Sequence, residues 1–231
     1  MTSGAPVTVS FYRHGEVASH RGDVPLTDRG VHDAEAAGER LASLLSGEVD
    51  LRYAPTLRTR QTLDALRRGA ERALGPGSDV RFGEPRVEPA IHNPDLYVAG
   101  TRVEMVSSVD ALAAQLPEGA VSRDEVAANP FFMRFWAASD RIGVWLEDDD
   151  PPGERSADVA RRLFTFARSL TDGAGGRHHV CVTHSGPLRA LLREFVLSAD
   201  PGEPEYAEAV HVTLEADGTA SWRFRGARVA P

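Results

Sequence analysis

The sequence predicts an α/β fold, in which a mostly parallel central sheet lies between two helical layers in a three-layer α/β/α arrangement. The evidence is an alternation: short β-branched and apolar runs alternate with stretches whose apolar residues recur at helical spacing. The alternation is present near both ends of the chain. This pattern is typical of parallel strands joined by crossover helices that cover both faces of a sheet. The chain has 231 residues, and we expect residues 1–231 to form a single domain.

The first part of the chain contains three predicted strands and two predicted helices. Their ranges are strand 7–12, helix 28–46, strand 50–54, helix 57–74 and strand 80–87. Thr27 is a suitable N-cap for the first helix, and Gly47 a suitable end. The run Gly75-Pro76-Gly77 ends the second helix.

The alternation lapses between about residues 89 and 153, where we predict a mostly helical insertion with helices at 102–116 and 130–146. Aromatic residues between Phe131 and Trp145 either form a core beneath a cap or line an apolar cleft, and we favour the core. The alternation then resumes, with helix 155–170, strand 178–183 and helix 188–197. An edge hairpin with strands 209–214 and 220–224 turns at Asp217-Gly218.

Composition narrows the function. The net charge of −8 argues against general nucleic-acid binding. All 26 basic residues are arginines, so a phosphate site here would consist of arginine and histidine. The single cysteine, Cys181, lies in a predicted strand and is expected to be a buried thiol. Without a disulfide pair, a signal-like segment or a membrane-length apolar run, we expect a cytoplasmic protein that does not bind membranes.

Chemically competent side chains follow three predicted strands. Arg13 and His14 end the first strand, Arg58 opens the helix after the second, and His184 follows the strand at 178–183. Because the carboxyl ends of parallel strands meet at one edge, these groups are expected to converge there. A neutral imidazole is a nucleophile, and a guanidinium matches phosphate oxygens. A helix N-terminus adds backbone donors for an anion. The set predicts a phosphoryl pocket.

Two other chemistries are less well supported by the sequence. His178 and His179 could form a metal site with His184, but adjacent strand residues point to opposite faces and no acid or thiol lies at ligand spacing. A serine hydrolase would need a Gly-x-Ser-x-Gly turn, which the sequence lacks. We therefore expect no metal and no cofactor.

Four segments together carry a family resemblance. They are Arg13-His14-Gly15-Glu16, Pro25-Leu26-Thr27-x-x-Gly30, Leu57-Arg58-Thr59-x-Gln61-Thr62, and Val182-Thr183-His184 with Leu188-Arg189-Ala190-Leu191. In this order and spacing they resemble the signature segments of the histidine phosphatase superfamily, the phosphoglycerate-mutase-like group. Each segment is weak alone, and together they cover both ends of the chain.

The resemblance implies a role for each residue. His14 would be the nucleophile that becomes phosphohistidine, and Arg13, Arg58 and His184 would hold the phosphoryl group. Glu88 is the preferred proton donor to the leaving group.

Other residues compete with these or depart from the family pattern. Glu84 and Asp95 compete with Glu88 for the proton-donor role. Val17 stands where many members have a hydroxyl, so His20 is a candidate replacement as a phosphate contact. Tyr53-Ala54 and Ser185 are further departures from the pattern.

The resemblance implies a metal-independent phosphomonoester hydrolase of the histidine acid phosphatase type, acting on a small phosphorylated molecule. Three alternatives stay open: a phosphoglycerate-mutase-type phosphoryl transferase, a non-catalytic phosphate-binding module, and a phosphoprotein phosphatase acting on phosphohistidine or phosphotyrosine. We favour the phosphatase, because the predicted insertion is mainly acidic and aromatic and offers few cations for a substrate carboxylate. The edge hairpin permits a homodimer without requiring one.

Overall fold

A computed structural model describes residues 5–19, 22–172 and 178–229. In chain order the strands are β1 (Val7–Arg13), β2 (Glu48–Tyr53), β3 (Arg81–Phe82), β4 (Arg86–Val87), β5 (Leu96–Val98), β6 (Thr101–Val103), β7 (His178–Thr183), β8 (Ala209–Leu214), β9 (Ala220–Phe224) and β10 (Ala227–Val229). The helices are α1 (Asp28–Ala42), α2 (Leu57–Leu74), α3 (Val109–Ala113), α4 (Arg123–Ala127), α5 (Pro130–Ala137), α6 (Arg141–Glu147), α7 (Ser156–Ser169) and α8 (Ser185–Leu192). None of these helices is long and apolar enough to span a bilayer.

The main sheet has the strand order β10-β9-β8-β1-β7-β2-β3, with β4 also paired to β2. The pairs β1–β7, β7–β2, β2–β3 and β2–β4 are parallel, whereas β8, β9 and β10 are antiparallel additions at one side. The predicted α/β class, the mostly parallel sheet and the edge hairpin near the C-terminus are confirmed.

Both faces of β1 and β7 are buried along most of their length, so apolar residues lie on both faces of these two strands. On β7, Val180 and Val182 pack on the side of α1 and α2, while Cys181 packs on the side of α7 and α8. Tyr12 and Phe11 divide in the same way on β1. Cys181 is fully buried, and burial raises the pKa of its thiol, as expected for a structural cysteine.

The structure departs from the predicted elements around the insertion. The predicted helix 102–116 is wrong in its first half: Arg102 and Val103 belong to β6, which pairs antiparallel with β5, and only the short α3 follows. The predicted helix 130–146 is divided into α5 and α6, because the Asp140 side chain accepts the Gly143 N–H and caps a new helix. The predicted strand 80–87 is also divided, since β3 and β4 flank a segment that contains Pro85, which has no N–H for pairing.

The aromatic residues of the insertion are mostly core, as the sequence analysis favoured. Phe132, Phe135 and Trp145 are buried and belong to the cluster that includes Phe11 and Leu188. The insertion therefore shares its core with the α7–α8 side of the sheet.

Candidate active site

The two central strands bring the two predicted histidines together. β1 and β7 are parallel neighbours with Arg13 opposite Thr183, so the residues that follow them, His14 and His184, leave the sheet at the same edge. The His14 N–H donates to the Thr183 carbonyl at 3.0 Å. The two imidazole rings lie edge to face, with their centroids 5.4 Å apart.

The hydrogen bonding of His14 determines which ring nitrogen can attack. Nδ1 lies 2.7 Å from the Gly15 carbonyl oxygen. Because a carbonyl only accepts, Nδ1 carries the proton, and in the neutral ring Nε2 carries the lone pair. His14 is buried, with 3% of its surface exposed, so its orientation is set by the protein.

Arg58 lies in the first turn of α2, beside His184. Its Nη2 is 3.4 Å from His184 Nδ1. Since a guanidinium only donates, Nδ1 is the acceptor, and the proton of a neutral His184 ring is on Nε2. Burial lowers the pKa of Arg58, and the charges of Asp23 and Glu104 oppose this shift. A phosphate dianion at this position would further favour the charged guanidinium.

Arg13 precedes His14 at the end of β1, and its guanidinium is held by residues 203–206. Nη2 forms an ion pair with Glu203 at 2.8 Å, Nη1 donates to the Pro204 carbonyl, and the guanidinium lies 4.1 Å from the ring centre of Tyr206. Buried Nε–H groups of both Arg13 and Arg58 have no hydrogen-bond partner within the described residues. Unsatisfied buried donors of positive charge are suited to an anion.

The loop after β1 is held by residues of the other signature segments. The Thr62 hydroxyl accepts the Gly15 N–H at 2.8 Å and donates to the Arg58 carbonyl at 2.6 Å. The Gln61 side chain accepts the Leu26 N–H at 2.9 Å.

Gly15 and Gly30 lie where two backbone segments nearly touch. A Cβ on Gly15 would lie 2.8 Å from the Gly30 carbonyl oxygen, and one on Gly30 would lie 2.4 Å from the Glu16 carbonyl oxygen. Glycine is therefore required at both positions because a side chain would collide with backbone. At Gly15 the reason is this close approach and not a positive φ.

Arg13, His14, Arg58 and His184 all line one cavity of about 530 Å³. This volume lies within the range of small-molecule sites. The structure thus brings together four of the six predicted site residues. His20 lies outside the described residues.

Glu88 is not among the residues that line this cavity. The register of β4 on β2 places Glu88 beside Arg52, and its carboxylate accepts Arg52 Nη1 at 2.7 Å and the Ala90 N–H at 3.1 Å. It lines a separate groove on the α7 side, together with Asp50 and Phe166. The preferred proton donor is therefore not brought to the phosphoryl pocket, because its strand pairing turns it to another surface.

The carboxylates that do line the cavity are Asp23, Glu104 and Glu203. Asp23 accepts the Leu57 N–H at 2.8 Å, and Glu203 accepts the Ser185 hydroxyl at 2.7 Å. The Ser185 contact gives a physical role to one of the departures from the family pattern. None of the three acids lies in a helix or strand of the structure, and the sequence carries no signal for them beyond their charge.

A separate group of metal-competent side chains lies in the insertion. His92, Asp95 and Glu154 place ligand atoms within 4.8 Å of one another. Arginines already pair with the two carboxylates, Arg102 with Asp95 and Arg162 with Glu154, at 3.0 Å for the latter. A cation here would compete with both arginines, and these residues do not line the His14 cavity.

Comparison with known proteins identifies related folds. The family model described as "Histidine phosphatase superfamily (branch 1)" matches residues 9–84 and 131–220, which is more than half of the chain. No curated protein matches the sequence.

Several solved structures share the fold. A mycobacterial glucosyl-3-phosphoglycerate phosphatase is 18% identical, with 94% of this chain and 96% of that chain covered and a TM-score of 0.58. YhfR from Bacillus stearothermophilus is 20% identical, with 95% and 96% covered and a TM-score of 0.56. A phosphoglycerate mutase from Bacillus anthracis str. Sterne is 15% identical, with 96% and 94% covered and a TM-score of 0.57.

Proposed function

Since the chain belongs to the histidine phosphatase superfamily, we propose that it is a metal-independent phosphomonoester hydrolase that acts through a phosphohistidine on His14. The observation that carries the proposal is the convergence of His14, His184, Arg58 and Arg13 on one cavity. The tautomer of His14 agrees with a nucleophilic role, because Nδ1 is used by the Gly15 carbonyl and the lone pair is on Nε2.

In the first step, His14 Nε2 forms a bond to phosphorus while the bond from phosphorus to the ester oxygen breaks. Arg58, His184 Nε2–H and Arg13 stabilise the charge on the phosphoryl oxygens during transfer, an effect that needs donors already in place. The departing oxygen takes a proton from a carboxylic acid. In the second step water attacks phosphorus and gives up a proton to that same carboxylate, while the N–P bond breaks and returns its electron pair to Nε2.

The proton donor is proposed to be Asp23, which lines the cavity and acts electrostatically on Arg58, the group that would bind the phosphate. Glu104 and Glu203 are poorer donors, because arginines lie within hydrogen-bonding distance of their carboxylates: Arg102 at 3.1 Å from Glu104, and Arg13 at 2.8 Å from Glu203. Asp23→Asn would therefore slow esters with poor leaving groups far more than p-nitrophenyl phosphate, and Glu104→Gln would lack this selectivity.

Hydrolysis of p-nitrophenyl phosphate in the presence of EDTA tests the proposal. The wild type is expected to turn over and to retain labelled phosphate when denatured at alkaline pH, where phosphohistidine survives. His14→Ala should lose both signals, and Arg60→Ala, at an exposed position of α2, should keep both. Full activity of His14→Ala would exclude this mechanism, and loss of wild-type activity with EDTA would indicate a metal-dependent reaction.

A phosphoglycerate mutase assay tests the second candidate, which the shared fold of a mutase keeps in view. Isomerisation of phosphoglycerates faster than their hydrolysis would favour the transferase over the hydrolase.

A further inference from the structure

We propose that the His14 cavity selects phosphate monoesters whose organic group is apolar and carries no second negative charge. This inference rests on the proposed phosphatase function and adds a substrate class to it. It follows from the walls of the cavity beyond the phosphoryl pocket.

One wall is apolar and comes from the insertion. Met105, Val106, Ala111 and Ile142 line the cavity, and Met105, Val106 and Ile142 also pack against the buried core. The Trp136 indole N–H donates to the Val106 carbonyl at 2.9 Å and holds that segment in place. These side chains therefore present a built apolar surface, which favours burial of hydrocarbon.

This wall adjoins the phosphoryl pocket. Gly186 lies in the first turn of α8, two residues after His184, and a Cβ placed on it would lie 3.9 Å from Ile142. When His184 and Arg58 hold the phosphate of an ester, the organic group of that ester thus lies against Ile142 and its apolar neighbours.

The charges of the remaining wall are negative. Glu104 lines the cavity on the side of Arg58, and Glu203 lines it beside Arg13. Among the described lining residues, the guanidinium groups are those of Arg13 and Arg58, which the phosphate itself requires. A carboxylate or a second phosphate on the organic group would therefore face acids without a cation of its own, which is unfavourable in a partly desolvated site.

Arg102 acts on this wall only through its contact with Glu104. Arg102 contacts Glu104 at 3.1 Å and also pairs with Asp95, but it does not line the cavity. Replacing Glu104 with an uncharged residue would remove one acid and release Nη1 of Arg102 from it. The position of Glu104 thus controls the response to a second anionic group.

The test compares two ligands that cannot be hydrolysed, 4-methylbenzylphosphonate and 4-carboxybenzylphosphonate, by calorimetry on the full chain. The methyl ligand should bind about tenfold or more tightly than the carboxyl ligand, a ratio typical of one uncompensated like charge. In Glu104→Gln the ratio should fall severalfold, and in Glu104→Arg it should fall further. Glu118→Gln, an exposed glutamate of the same insertion that does not line the cavity, should leave the ratio unchanged.

Equal binding of the two ligands by the wild type would overturn the inference, as would a ratio that Glu104→Arg does not change. Failure of the proposed function has a different signature. Selective binding of the methyl ligand, with no hydrolysis of 4-methylphenyl phosphate, would support the inference on ligand class and contradict the phosphatase. Hydrolysis of 4-methylphenyl phosphate together with equal binding of the two phosphonates would support the phosphatase and contradict the inference on ligand class.

Discussion

Replacing Arg189 with methionine should destabilise the protein strongly, although Arg189 does not line the cavity. The Arg189 side chain has 0% exposure and joins three acids: Asp140, whose oxygens lie 2.7 and 2.6 Å from its nitrogens, Asp200 at 2.9 Å and Glu203 at 3.3 Å. Burial alone would lower the pKa of Arg189, but its bonds to Asp140 and Asp200 raise it above the usual value. Methionine keeps much of the volume and removes the charge.

The expected loss of stability in Arg189→Met depends on how exposed its acidic partners are. Removing one partner of a buried ion pair costs about 3–5 kcal/mol. The side chains of Asp140 and Glu203 are 55% and 48% exposed, so water can solvate them when Arg189 is gone. We therefore expect about 3 kcal/mol, the lower end of this range. For a chain of this size, this corresponds to a decrease in Tm of about 6–12 °C.

Urea denaturation followed by circular dichroism measures this loss. Arg161→Met is the matched control, because Arg161 makes an exposed pair with Asp158 and should cost less than about 1 kcal/mol. Arg189 holds the pKa of Asp140 below its usual range, so the pair stabilises the fold above about pH 4 and less below it. The difference between wild type and Arg189→Met should therefore shrink below about pH 4. A loss under about 1 kcal/mol at neutral pH would refute the reasoning.

Three further predictions concern the loop after β1, the groove that contains Glu88, and a buried histidine of β8. Thr62→Val removes the acceptor of the Gly15 N–H, so it should lower the free energy of unfolding by about 1–3 kcal/mol and also lower kcat. Thr171→Val, which removes an exposed hydrogen bond, should change neither quantity. Equal stability of the two variants in urea denaturation would contradict this prediction. Glu88→Gln should change the turnover of esters with good and poor leaving groups by the same factor, because Glu88 lies outside the cavity; a selective loss with poor leaving groups would restore it as the proton donor. Burial lowers the pKa of His211 to about 4, so between about pH 6.5 and pH 4 the unfolded chain binds more protons than the folded one, and stability should fall as the pH falls through that window. His211→Asn should lose less stability over that window, and denaturation curves with the same pH dependence as wild type would exclude His211 as the cause.

The sequence carried most information where local and long-range signals agree. The bounds of α2 were predicted as observed, because an apolar stripe at helical spacing ends at Gly75-Pro76-Gly77. β8 and β9 were also predicted as observed, from alternating apolar residues around a turn at Asp217-Gly218. Arg13, His14, Arg58 and His184 were predictable as neighbours because each follows a strand whose direction the alternation specifies.

The insertion and the acids of the site were harder to predict for a physical reason. β5 and β6 have three residues each, too few for a period to show, and their pairing depends on a turn at Ala99-Gly100 with positive φ. Glu203 lies in an irregular segment, and its place beside Arg13 depends on tertiary contacts with Arg189 and Ser185. Glu88 has the position in the chain that the family resemblance implies for the proton donor. However, the pairing of β4 with β2 directs its side chain to Arg52.

The pairing of β1 with β7 has a consequence for how the protein acquires activity. His14 and His184 become neighbours only when strands from opposite ends of the chain form the middle of the sheet. A contact of such sequence separation closes a very long loop, so we expect it to form slowly and late. Regain of the proposed phosphatase activity during refolding would then report completion of the central sheet. It would follow the recovery of helical signal from locally formed segments such as α1 and α2.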